Sequence, residues 1–324
     1  MNNIVIIGAG QLGSRHLQAL TLVKTKLSIS LIDPSEDSIN KALVIFNGTN
    51  TENNHSIETI NTINELEQKK IDVAIVATNS LVRRKVIEEL SVKCEIKCLV
   101  LEKFLFPKTE DYKFIEILLE SKKIKAWVNC PRRMFDFYKE LKKEIKETSI
   151  ISLSGSSWGL GSNGIHMLDL IAYLTGEIEF HLNSEFLDET IIKSKREGYI
   201  EFTGQFTGST KSKNHSFTIA SYKDEGIPFV MSVTSGEKSF IISEGTKKQI
   251  TFSNKSGFQA EEKSITIPFQ SQLTNIIVEE LLNSGNCELT SYKESSDIHL
   301  QYLNMLLNFM GQNTTNKTDS CLIT

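Results

Sequence analysis

Gly8-Ala9-Gly10-Gln11-Leu12-Gly13 forms a G-x-G-x-x-G motif between a short apolar run, Ile4 to Ile7, and a segment of helical spacing. Glycines at this spacing suit a dinucleotide pyrophosphate. Gly8 permits the tight turn, Gly10 lets the backbone come close to the phosphates, and Gly13 lets the helix sit against a sheet. The N–H groups at the helix start, around Gln11 and Leu12, can then hold phosphate oxygens. Asp33 follows at the end of the next strand. A carboxylate there accepts hydrogen bonds from both hydroxyls of an adenosine ribose and repels a 2′-phosphate, so NAD is favoured. Ser35 and Lys41 keep NADP open, and Asp33 also reads as a turn residue before Pro34. Thr78 and Asn79 end the strand that begins at Ile71. They stand at the carboxyl edge, where a parallel sheet opens its ligand crevice, and read equally as a strand-to-helix cap.

The elements that must position these residues alternate along the first part of the chain. Strands are expected at Ile4–Ile7, Leu27–Ile32, Ile71–Ala77, Ile96–Leu101 and Ala126–Val128. Helices are expected from about Leu12 to Leu22 and at 36–46, 81–90 and 110–121. Strands of β-branched residues separated by helices indicate a parallel sheet covered on both faces. The pattern changes near residue 130. Helices fit 134–147 and 164–175. Short Thr/Ser/Ile/Phe/Val runs follow at 198–207, 215–222, 228–234, 238–243 and 248–252, as in an antiparallel sheet with one wet face. Helices fit 271–283 and 293–310, and the polar end from 312 is expected to fray. The reading is α/β. A Rossmann-type domain spans 1–125, an α+β domain with a large, mostly antiparallel open sheet spans 126–312, and a polar tail spans 313–324.

Composition narrows the class. The 324 residues are 40% apolar and 23% charged, which fits two globular domains and excludes a low-complexity chain. The net charge of −4 argues against a general nucleic-acid partner. No apolar run approaches membrane-spanning length, and the first residues carry no leader pattern. Five irregularly spaced cysteines complete no zinc set and read as reduced thiols of a cytoplasmic protein.

Four segments in this order resemble the glucose-fructose oxidoreductase/inositol dehydrogenase (Gfo/Idh/MocA) family. They are Gly8–Gly13, Ile71–Ser80, Leu101-Glu102-Lys103-Phe104-Leu105, similar to that family's Glu-Lys-Pro segment, and Gly164-Ile165-His166-Met167-Leu168-Asp169, similar to its Gly-x-His-x-x-Asp helix. The resemblance implies NAD or NADP chemistry at a hydroxyl-bearing carbon of a sugar, cyclitol or sugar nucleotide, with surface-glycan pathways as one setting and no metal. It also implies a homodimer or homotetramer, commonly built through the open sheet face, and a C-terminal helix packing back on the first domain.

The resemblance places Lys103 and His166 as the catalytic pair of one site. A lysine after a buried strand can hydrogen-bond the reacting hydroxyl, and the cofactor's positive ring would lower its pKa. An imidazole, which ordinarily titrates near neutrality, can take the hydroxyl proton. Glu102 and Lys103 are also expected beside the cofactor, Glu102 orienting the site or capping a backbone group, and Asp169 is expected to orient His166 or to bind across the domain boundary. On the substrate side Arg133 can fork onto a carboxylate or phosphate. The Arg132–Arg133 pair also reads as solvated or salt-bridged. Trp158 reads equally as a stacking platform or a core aromatic. Ser162 and Asn163 complete the substrate-side candidates.

Four positions depart from the family pattern. Phe104 stands for proline, which makes a cis peptide unexpected. Asn79 stands for proline, Arg83 for histidine and Ser162 for a substrate-binding aspartate. Phe104 and Ser162 motivate a second reading, a dinucleotide-binding sensor or partner protein without catalysis. A third is an NAD-dependent lyase or hydrolase in which hydride returns to the substrate.

Overall fold

A computed structural model of the chain describes residues 1–49, 55–223, 226–313 and 319–324. The elements begin β1 (Asn2–Ile7), α1 (Gln11–Leu20), β2 (Leu27–Ile32), α2 (Glu36–Gly48), β3 (Ser56–Ile60), β4 (Lys70–Val76), α3 (Ser80–Lys93), β5 (Glu95–Leu101), α4 (Thr109–Lys122) and β6 (Lys125–Val128). They continue with α5 (Asp136–Glu144), β7 (Ser149–Ser156), α6 (Leu160–Thr175), β8 (Phe180–Asn183), β9 (Ile192–Lys193), β10 (Ile200–Glu201), β11 (Gly204–Thr210), β12 (His215–Tyr222) and β13 (Val230–Ser235). The last are β14 (Lys238–Ser243), β15 (Lys248–Ser253), β16 (Glu261–Ser264), α7 (Thr274–Ser284), β17 (Thr290–Ser291) and α8 (Tyr292–Asn313). They sort into two units. One holds Met1–Phe106, Glu110–Pro131 and Pro268–Lys293; the other holds Pro107–Thr109, Arg132–Ile267 and Glu294–Thr324.

The first unit carries a seven-stranded sheet in the order β17-β6-β5-β4-β1-β2-β3. All pairs are parallel except β17 against β6. Ile4, Val5 and Ile6 of β1 and Val73, Ala74 and Val76 of β4 are fully buried, as expected for central strands covered on both faces. The chain leaves β1 for β2 on one side and returns to β4 on the other. The β1–β4 junction is therefore the switch point at which such sheets open a crevice, and the glycine turn follows β1. β3 was not expected. Its Ser-Ile-Glu-Thr-Ile sequence is polar at three of five positions and sits, largely uncovered, at the sheet edge.

The second unit carries an eight-stranded sheet in the order β16-β15-β14-β13-β7-β12-β11-β8. Only β7–β12 is parallel, so the mostly antiparallel open sheet expected from the sequence is present. β7, which the sequence reading missed, lies at its centre. Ile151 and Leu153 of β7 are buried, while Ile150 is 65% exposed on the other face. α6 is buried along most of its length, and the buried Tyr302 of α8 donates from its hydroxyl to the Leu160 carbonyl (2.7 Å).

The chain end corrects the expectation of fraying. Cys321 and Ile323 are fully buried. The Cys321 N–H donates to the Pro107 carbonyl (2.9 Å), and the Leu322 carbonyl accepts from Ile200 N–H (2.8 Å). Residues 314–318 of the expected polar tail lie outside the described residues. All five cysteines are free thiols. Among the described residues no helix is long and apolar enough to cross a membrane, and no group of three or more metal-ligating side chains is assembled.

Candidate functional site

The glycine turn is built by contacts that admit no side chain. Gly8 has φ of +100°, and a Cβ on it would lie 3.0 Å from the Ala77 carbonyl group. A Cβ on Gly13 would lie 1.7 Å from the Gly8 carbonyl oxygen, whereas one on Gly10 would meet nothing within 4 Å. The turn is thus closed on the sheet side at Gly8 and Gly13 and open at Gly10. α1 starts at Gln11 with no side-chain cap and no acidic residue in its first turn. Its first N–H groups, on the exposed Gln11 and Leu12 among others, have no intrahelical acceptor.

Asp33 ties this turn to the end of β2. Its carboxylate accepts from Ala9 N–H (2.7 Å) through one oxygen and from Ser35 N–H (2.8 Å) through the other. The turn-residue reading is therefore correct, and each oxygen keeps further acceptor capacity. Lys41, which kept NADP open, is ion-paired with Asp37 at 2.6 Å. Asn79 caps α3 by accepting from Val82 N–H (3.3 Å). The Thr78 Oγ1 is buried with no hydrogen-bond partner, which is unfavourable unless a ligand supplies one. An open helix start, a turn without side chains and an orphan hydroxyl fit a bound dinucleotide. Gly8, Gly10, Gln11, Leu12, Gly13, Asp33 and Thr78 are the residues that would hold it.

After β5 comes the Glu102-Lys103-Phe104 segment. The Lys103–Phe104 peptide bond is cis, contrary to expectation for a bond before phenylalanine. The carbonyls beyond it are held by Arg83, the residue standing where a histidine was expected. Arg83 is 1% exposed. Its guanidinium donates to the carbonyl oxygens of Phe104, Leu105 (2.9 Å) and Thr78. One planar fork thus joins the end of β4 to the segment after β5.

Glu102 is also buried. It accepts from the Asn129 amide (2.6 Å) and shares a hydrogen bond with His16 Nε2 (2.8 Å), and His16 Nδ1 meets Thr274 Oγ1 at 2.8 Å. Burial alone pushes its carboxyl pKa up. The His16 hydrogen bond and charge, with Asn129 and Arg83, outweigh this and hold it below the ordinary 4.5. A lowered folded-state pKa contributes stability that is present above the unfolded value and lost as pH falls through the folded one. Glu102→Gln is therefore expected to lower stability at neutral pH and to flatten the loss of stability below about pH 4.5. Urea unfolding measured between neutrality and pH 3 tests this. Parallel acid limbs for parent and variant would show that Glu102 does not contribute to that loss.

In the second unit, α6 begins at Leu160, four residues ahead of the expected start. Gly159 takes the left-handed conformation before it (φ +76°). The buried Glu201 carboxylate accepts from the N–H groups of Gly161 and Ser162 and from Ser162 Oγ (2.7 Å). A carboxylate on these orphan N–H groups is a favourable helix start. Ser162 and Asn163 therefore lie on the first turn of α6, one turn before His166, and all three share a face.

His166 lines a cavity of about 510 Å³ with Arg132, Trp158, Asn163, Phe229 and Glu244. Trp158 lies edge-on to Phe229 (centroids 5.3 Å apart) and donates from Nε1 to the Ala220 carbonyl (2.9 Å). The guanidinium in this wall is that of Arg132, held on Glu244 at 2.8 and 2.9 Å, with the buried Tyr138 hydroxyl donating to the same carboxylate (2.8 Å). Burial pushes the Tyr138 phenol well above its ordinary range, so it serves as a donor. Arg133 is buried with its fork on Asp169 (3.1 and 2.9 Å) and a longer contact to Glu294 (3.4 Å). Asp169 accordingly holds Arg133. The sequence reading did not single out His16, Glu201 or Glu244.

Chemically, the first unit offers a glycine turn whose geometry could admit a phosphate and a lysine segment fixed by a buried carboxylate and a buried arginine. The second offers an imidazole in a cavity with an aromatic wall and hydrogen-bonding side chains. No known family model matches the chain. No curated protein sequence matches it. Solved structures do. The chain is similar to UDP-N-acetylglucosamine 3-dehydrogenase GnnA from Acidithiobacillus ferrooxidans, at 10% identity and TM-score 0.71, over 94% of this chain and 96% of that one. It is similar to scyllo-inositol dehydrogenase from Lactobacillus casei with bound NAD(H) and scyllo-inositol, at 15% identity and TM-score 0.69, over 97% and 98%. A super-repressor mutant of Gal80p from Saccharomyces cerevisiae also matches, at 12% identity and TM-score 0.72, over 96% of each chain.

Proposed function

Since its fold is that of the Gfo/Idh/MocA dehydrogenases, we propose that this chain is an NAD(P)-dependent oxidoreductase acting on a hydroxyl-bearing carbon of a sugar or sugar nucleotide. The glycine turn carries this reading. Gly13 packs on the Gly8 carbonyl where no side chain fits, Gly10 is open, and the Thr78 hydroxyl waits unpartnered. When bound, the dinucleotide supplies the hydride acceptor or donor. The chain's own residues do the rest. The turn and α1 hold the phosphates, and Asp33 takes the ribose hydroxyls and disfavours a 2′-phosphate, so NAD is the expected form. Lys103 hydrogen-bonds the substrate hydroxyl oxygen and steadies the charge that develops there. His166 takes the hydroxyl proton as the carbon is oxidised and returns it in reduction. Asn163, Ser162 and Trp158 orient the sugar. Arg133 acts by holding Asp169 and, through it, α6.

Two finer points belong to the same reading. The uncovered face of the eight-stranded sheet, with Ile150 and Ile241 exposed, suits assembly of a homodimer or homotetramer. The free thiols suit a reducing, cytoplasmic setting. A second reading, a dinucleotide-binding regulator without turnover, is favoured by the likeness to a repressor protein and by Ser162 standing in place of aspartate.

Fluorescence titration with NADH and NADPH tests the cofactor assignment. The parent is expected to bind NADH more tightly. Gly13→Ala sets a methyl 1.7 Å from the Gly8 carbonyl oxygen, which forces α1 away from the turn. That variant is expected to lose NADH binding by at least roughly a hundredfold, the equivalent of about 2.7 kcal/mol. Equal NADH affinity in Gly13→Ala and parent would remove the turn from the account.

A further inference from the structure

We infer that a second cavity, in the second unit, binds a phosphoryl group carried by the substrate. The inference rests on the dehydrogenase reading and extends it to the anionic end of the substrate molecule.

The cavity has a volume of about 360 Å³ and lies among the start of α6, the β9 segment and the end of β12. Trp158 and Asn163 line both this cavity and the one holding His166. A ligand with its sugar beside His166 therefore has an adjoining space for a second group past the indole. Lys193, Lys195 and Lys223 line that space. Lys193 ends β9 and Lys195 lies in the bend that follows it, so both reach the cavity from one short segment. The ion pairs found among the described lysines of this part of the chain use Lys211, Lys238, Lys248 and Lys263 instead.

Among the described residues one carboxylate, Glu201, lines the same space, and it is already engaged. Glu201 accepts from the Gly161, Ser162 and Phe202 N–H groups and from the Ser162 hydroxyl. The three cations therefore face a carboxylate whose acceptor positions are taken by the start of α6. Ser221 supplies an independent sign of a ligand. It is 1% exposed, lines the cavity, and its Oγ has no hydrogen-bond partner. A buried hydroxyl in that state lacks an acceptor. A phosphoryl group brings several acceptor oxygens and one to two negative charges, which match a hydroxyl donor and a set of ammonium groups.

The test is a calorimetric titration of the full chain with inorganic pyrophosphate under saturating NADH, so that the glycine turn is filled. Saturable binding that weakens steeply with salt is expected. The Lys193→Ala/Lys195→Ala/Lys223→Ala variant is expected to bind at least roughly tenfold more weakly, and Ser221→Ala more weakly than the parent. The three lysines are exposed, so the triple variant is expected to fold, and unchanged NADH affinity checks that it has. A uridine diphosphate hexose and the free hexose form the further arms. Tighter binding of the diphosphate hexose than of pyrophosphate, with loss in the triple variant, supports an anion that belongs to the substrate. Equal binding of both identifies a site for free anions and overturns the substrate assignment. Absent pyrophosphate binding, or binding that the triple variant retains, overturns the site itself. Failure of the dehydrogenase reading is seen separately, as absent oxidation or reduction of any sugar or nucleotide sugar with NADH bound, while loss of binding in the lysine variant reports on this cavity alone.

Discussion

His166→Ala is expected to lower turnover by about 10²- to 10⁴-fold, the range of a lost general acid–base group, while NADH affinity stays at the parent value. The expectation follows from where the side chain sits. His166 is on the second turn of α6, whose ends are fixed by features the substitution does not touch. Glu201 holds the first N–H groups, Gly176 closes the last turn in the left-handed conformation, and Tyr302 bonds to the Leu160 carbonyl. Alanine is favoured within a helix, so the variant should fold, with circular dichroism and melting temperature as checks. The residues proposed to hold the dinucleotide belong to a different unit, and NADH titration reads them independently. Turnover is measured on whichever sugar or nucleotide sugar supports the parent. Partial rescue by added imidazole would support proton transfer as the lost function. Parent-like turnover in the folded variant would falsify the role given to His166 and assign the proton transfer to another group.

The glycine turn after β1 was legible because its signal is local. Three glycines at fixed spacing, a buried strand before them and a helix after them lie within a dozen residues, and one turn geometry satisfies all of them. The alternation of strands and helices was equally readable, since both faces of a parallel sheet are covered and its strands are continuously apolar. β7 escaped notice for the opposite reason. Only one of its faces is covered, so Ile151 and Leu153 alternate with Ser152 and Ser154, and the serine-rich text reads as a loop. The early start of α6 depends on Glu201, 39 residues from Ser162. No periodicity within residues 159–164 announces a cap arriving from so far along the chain. The arginines show the same limit. Arg132 and Arg133 are neighbours with identical chemistry, and only tertiary contacts decide that one stands in the cavity wall on Glu244 and the other binds Asp169. Arg83 read as a departure from pattern, yet its role rests on three backbone carbonyls that any sequence would supply.

That role makes Arg83→Met the second large expected effect. The guanidinium is planar, permanently charged and forked, so it can serve carbonyls in different directions at once. Here it bridges Thr78, after β4, with Phe104 and Leu105, after β5. Methionine roughly matches the length of the stem but donates nothing. The buried carbonyls of Phe104 and Leu105 and the half-buried one of Thr78 would lose a charged partner together, and each hydrogen bond to a charged group contributes roughly 1.5–3 kcal/mol. Removal of the buried charge relieves some desolvation, so a net loss of about 3–5 kcal/mol is expected, read as a lower urea midpoint. Stability alone would not distinguish a positioning residue from a packing one. Arg83 bonds on one side to the strand end that carries the Thr78 hydroxyl and on the other to the segment that carries Lys103. A positioning role therefore predicts weaker NADH binding and a lower kcat at temperatures where the variant is fully folded. Lysine can place its ammonium near one carbonyl but cannot span three. Arg83→Lys should fall between parent and methionine in stability and lie close to methionine in kcat. If Arg83→Met unfolds early but, while folded, binds NADH and turns over like the parent, Arg83 only fills and satisfies the core, and the geometry of Thr78 and Lys103 is held by something else.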